Sequence, residues 1–72
     1  MIRVDVHFGG VIYTIPNTDR QAVKARIDAA LHDGVPLWLD VNYGAGSVLR
    51  TDLLITPGVP VGLAEITDPA ED

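Results

Sequence analysis

Residues 6–15 read VHFGGVIYTI, and the glycine pair at their centre constrains the fold more than any other feature of the chain. Before the glycines, IRVDVHF (2–8) alternates strictly. Ile2, Val4, Val6 and Phe8 fall on one face of an extended strand, and Arg3, Asp5 and His7 on the other. After them, VIYTI (11–15) alternates as well. Two such runs around Gly-Gly spell a hairpin, because a two-residue primed turn needs positive φ and glycine has no Cβ to oppose it. The register follows. Phe8 pairs with Val11, Val6 with Tyr13 and Val4 with Ile15 on the apolar face; His7 pairs with Ile12 and Asp5 with Thr14 on the other. A slip of one residue would scramble both faces. A glycine loop that cradles phosphate would need a helix directly after it, and here a strand follows.

Pro16 and Asn17 end the second strand. Thr18 is then the expected helix N-cap, with Gln21 completing a capping box and Asp19 favoured at the positive helix end. In TDRQAVKARIDAALHDG (18–34), Val23, Ile27, Ala30 and Leu31 make an apolar stripe with Ala22 beside it, while Arg20, Lys24 and Asp28 cover the far side. His32 lies in the last turn, where a cation is favoured, and Gly34 suits a left-handed C-cap. VPLWLDVNY (35–43) is a third strand, with Leu37, Leu39, Val41 and Tyr43 towards the core and Trp38, Asp40 and Asn42 away from it. GAGS (44–47) makes a turn. A fourth strand is expected over 48–56, a Pro57-Gly58 turn next, and a last strand over 61–66. Residues 1–66 are read as a single α+β domain: an antiparallel sheet of four to five strands with one helix on one face, in β-β-α-β-β-β order. TDPAED (67–72) is read as an acidic tail.

Size sharpens the reading. A chain of 72 residues buries little core and usually relies on disulfides, a metal or association. There are no cysteines and only two separated histidines, which leaves association. Apolar residues make up 47% of the chain and the mean hydropathy is +0.23, more than so small an interior hides. One helix of about four turns covers one face of the sheet. The other face carries Arg3, Asp5, His7, Ile12, Thr14, Trp38, Asp40 and Asn42. Trp38 and Ile12 are the apolar members of that set, and tryptophan is enriched at the centres of interfaces.

The net charge of −5 argues against a nucleic-acid partner and fits self-association or a basic protein partner. MIRVDVHFGG lacks the pattern of a secretory signal, and no apolar run approaches the ~20 residues of a membrane span. The expectation is a cytoplasmic chain without membrane association. Asp5 and His7, with Asp40, are the nearest approach to a metal or acid–base site, but no further ligand and no nucleophile accompany them. Ser47 lacks the strand–elbow–helix setting of a catalytic serine. No catalytic residue, metal or cofactor is assigned. In LLITPGVPVGL (53–63), two prolines and two glycines stiffen an apolar run and expose Val59, so it is either a rigid turn or a docking loop. Ile12, Trp38, Asp40, Val59 and His7 are therefore the interface candidates.

The order of a short hairpin, a helix DRQAVKARIDAAL, an LWLDV strand and a closing AEI strand resembles small uncharacterised proteins of actinobacteria and their phages. PLWLDVNYGAGSVLRTDLLITPGVPVGLAEI carries most of the likeness. The resemblance implies a phage or host accessory factor without enzymatic activity and assigns no catalytic residue. The leading expectation is a homo-oligomeric interaction protein. The rivals are an acidic inhibitor of a host or phage protein, an oligomeric nucleotide-sequestering protein and, last, a hydrolase or metal enzyme.

Overall fold

The computed structural model describes residues 2–43 and 49–67. It is an α+β fold of one helix and five antiparallel strands: β1 (Ile2–Phe8), β2 (Val11–Pro16), α1 (Arg20–Asp33), β3 (Leu37–Tyr43), β4 (Leu49–Ile55) and β5 (Val61–Thr67). The strands form a single sheet in the order β4-β3-β2-β1-β5.

The hairpin has the register that its alternation requires, from Phe8 opposite Val11 to His7 opposite Ile12 and Asp5 opposite Thr14. Gly9 and Gly10 adopt φ of 61° and 81°, both in the left-handed region that a type I′ turn demands. The N-cap is Asp19, one residue later than expected: its carboxylate accepts from the Ala22 amide at 2.8 Å. The shift places Ala22 where a capping box would need Glu or Gln, so Thr18 and Gln21 do not form one. A distant residue supplies the second cap. Glu65 Oε1 on β5 accepts from the Arg20 backbone N–H at 2.9 Å, which satisfies a first-turn donor and fastens the helix to the sheet. Gly34 closes the helix in the left-handed conformation, as its position predicts.

Val23, Ile27 and Ala30 are the buried helix residues, whereas Leu31, expected on the same stripe, is 39% exposed. It lies at the rim of a groove with Val35, Pro36 and Pro57 at the helix end. Val4, Val6, Leu39 and Val41 are essentially sealed from solvent and, with Val23, Ile27, Leu53 and Ile55, form one core. Each such side chain contributes on the order of 1.5–3 kcal/mol through burial.

The path of the chain requires the sheet to coil. β4 and β5 are the outer strands, yet only residues 56–60 connect Ile55 to Val61. On a flat sheet these strands would lie about 19 Å apart. Ile55 and Val61 would also sit at opposite ends of it, whereas the chain between them reaches at most about 22 Å. Coiling brings the two margins towards each other. The bend falls between β2 and β3, whose pairing narrows to Thr14 opposite Asn42. Tyr13 and Tyr43 pack at this corner with ring centroids 5.6 Å apart. The helix therefore does not cover the inner face alone: the β3–β4 half folds its own apolar side chains over the same core. The opposite face is the outer, convex one.

Among the described residues the fourth strand spans Leu49–Ile55, the expected start at Val48 lying outside them, and it has no bulge at Thr51-Asp52, which pair with Val41 and Asp40. The last strand extends through Thr67, so the strand takes in the first residue of the expected tail. The expected turn at 44–47, with Ser47, and tail residues 68–72 lie outside the described residues.

Candidate interaction surface

Alternation along each strand decides which side chains reach the convex face. From β1 they are Arg3, Asp5 and His7; from β2, Ile12 and Thr14; from β3, Trp38, Asp40 and Asn42. β4 adds Arg50, Asp52 and Leu54, and β5 adds Gly62, Ala64 and Ile66, by pairing with those sets.

The five interface candidates fall into two groups. His7 and Ile12 are directly opposite each other on β1 and β2. His7 also lies against β5, and a Cβ built on Gly62 would meet the His7 Cβ at 3.4 Å. Val59, in the β4–β5 connection, joins this group: with His7, Phe8, Pro60 and Gly62 it lines a shallow hollow beside the hairpin turn. The second group sits around the bend on β3. Trp38 is 60% exposed and stands directly opposite Leu54, itself partly exposed. Asp40 lies two residues further along, opposite Asp52.

Two carboxylates placed opposite each other repel. Arg50 answers this by donating from Nη2 to Asp40 Oδ2 at 2.6 Å. That hydrogen bond, and then the charge of Asp40, raise the Arg50 pKa above its ordinary value. Asp52 has no ion pair among the described residues.

Asp5 and His7 do not gather a site around them. Asp5 is engaged by Arg3, whose Nε lies 3.3 Å from Asp5 Oδ1. Asp40 is not drawn in, because β2 stands between β3 and β1 and puts the two strands about 10 Å apart. Among the described residues, no three His, Cys, Asp or Glu side chains converge as a metal site would require. His32 lies 3.3 Å from Oδ1 of its neighbour Asp33 on the exposed helix end. Tyr43 packs on Tyr13. No helix among the described residues is long and apolar enough to cross a membrane.

Sequence reasoning missed Arg50, Asp52 and Leu54. Two adjacent leucines, Leu53 and Leu54, break the alternation of this strand, and only its pairing with β3 tells which of them faces outwards. Glu65 was missed because its partner is 45 residues away. Comparison with protein-family models, with curated proteins and with solved structures returns no match for this chain.

Proposed function

We propose that this chain is a non-enzymatic interaction protein that works as an assembly of identical copies. Trp38 carries the reading. A large indole, 60% exposed, stands beside Leu54 on a strand next to the sheet margin. Exposed tryptophan paired with an aliphatic side chain is the composition of an interface centre rather than of a solvated sheet face. Among the described residues, the same face offers no convergent set of acid, base and nucleophile. A standard interface covers about 800 Å² per partner, roughly a sixth of the 4939 Å² surface of this chain. A cytoplasmic setting, and the accessory role of the small actinobacterial and phage proteins that the sequence resembles, belong to the same proposal.

Sedimentation velocity from low to high micromolar concentration tests it, with the emission of Trp38, the sole tryptophan, followed in parallel. A mass that rises to a fixed multiple of 7.7 kDa is expected. A single-chain mass at every concentration, with fully solvated indole emission throughout, overturns the proposal.

A further inference from the structure

The two sheet margins are not equivalent. The helix runs beside β5: Glu65 binds the Arg20 amide, and Val61 and Leu63 line a hollow with Lys24 and Ile27. Among the described residues, neither strand nor helix is laid along the outer edge of β4. A strand edge with unpaired N–H and C=O groups is a template for another strand. Proline and inward-pointing charge are common means of blunting such an edge, and LRTDLLI (49–55) has neither: its charged residues, Arg50 and Asp52, point to the convex face.

Suppose that the added strand is β4 of a second copy, related by a two-fold axis through the sheet. Both copies then present the same face on the same side, so the axis must pass through a residue pair of like orientation. Few positions are available, and charge separates them. An axis at Arg50 sets two guanidinium groups opposite each other, and one at Asp52 sets two carboxylates opposite each other. An axis at Leu53 sets Asp52 against Leu54. An axis at Thr51 sets Arg50 of each copy opposite Asp52 of the other, twice. On the inner face it sets Leu49, which is 60% exposed, opposite the other copy's Leu53. The guanidinium has donors enough to hold Asp40 of its own chain and Asp52 of the other. β5 offers no such match: Glu65 is the one charged residue of VGLAEIT (61–67), so no axis on this strand sets opposite charges against each other.

We propose that β4 pairs antiparallel with β4 of a second copy, with Thr51 on the two-fold axis and reciprocal Arg50–Asp52 pairs flanking it. This rests on the self-association proposed above and names its contact. It produces one continuous sheet with both Trp38 side chains on the same convex side, so edge pairing leaves them free for further contacts.

The test is a charge exchange. Arg50→Glu and Asp52→Lys chains, each alone, set like charges opposite each other, and the dissociation constant of the dimer should rise roughly tenfold or more. Mixed one to one, the introduced carboxylate of the first chain faces the introduced ammonium of the second, and the remaining Asp52 faces the remaining Arg50. Association should then return as a heterodimer. Circular dichroism checks that each variant folds. A second variant, independent of the charge pair, is Thr51→Cys: the chain has no other cysteine, so its oxidation should give a disulfide-linked dimer, while Ala64→Cys on β5 should not. An assembly that forms but ignores the charge exchange and leaves Thr51→Cys uncoupled overturns the β4 contact and leaves self-association standing. A wild-type chain that stays single overturns both.

Discussion

Replacing Glu65 with Ala should loosen the junction between helix and sheet. The Glu65 carboxylate is 2.9 Å from the Arg20 amide, one of the helix-start donors without an intrahelical partner. Removing a capping side chain costs about 0.5–2 kcal/mol. A negative charge at a helix start contributes about 0.3–1 kcal/mol. Glu65 is exposed, so water can replace part of what is lost, and the expected cost is about 1 kcal/mol. For a chain of this length, total stability is on the order of 4–11 kcal/mol. The change should therefore lower the melting temperature by roughly 4–8 °C. Glu65→Gln keeps an acceptor oxygen without the charge and should lose about half as much. Asp19→Ala, which removes the local cap, should cost about 1 kcal/mol as well. Hydrogen exchange separates the two caps. Glu65→Ala should reduce protection of β5 amides as well as the first helical turn, because Glu65 sits on β5 and binds the helix start. Asp19→Ala should act on the helix start. A Glu65→Ala chain that melts with the wild type, or that leaves β5 exchange unchanged, refutes the claim that this contact fastens the helix.

Two further substitutions probe the core and the turns. Leu39→Ala removes a fully buried side chain and should cost about 2–5 kcal/mol in urea unfolding, a large fraction of the total for so small a domain. A cost under about 1 kcal/mol would show that the coiled sheet collapses around the gap. Gly10→Ala and Gly62→Ala should differ in sign: a Cβ at Gly10 meets no atom within 4 Å, but φ there is 81°, so the whole effect is backbone strain of about 1 kcal/mol. At Gly62 the Cβ meets His7 at ordinary contact distance without a positive φ, and the substitution should stabilise by a few tenths of a kcal/mol, about 0.5. Thermal melts of both variants decide, and equal signs would refute the distinction.

What the sequence by itself determined is everything governed by near neighbours. The Gly9-Gly10 turn, the pairing of β1 with β2, the Gly34 cap and the core faces of β1 and β3 all follow from alternation and from the φ that glycine allows. These are contacts between residues a few positions apart, and their geometry repeats with the period of the strand or helix. Where local signals competed, as among Thr18, Asp19 and Gln21, the sequence named the right turn and the wrong cap. Tertiary structure alone decided the rest. Which of Leu53 and Leu54 faces outwards depends on how β4 meets β3. The role of Glu65 depends on a helix start 45 residues away. The coil of the sheet depends on the reach of residues 56–60 between its outer strands, which no periodicity encodes, because that reach matters only once the strand order is known. Coiling is also what turns the helix-free face convex, while the strand order is what places Trp38 beside the β4 margin.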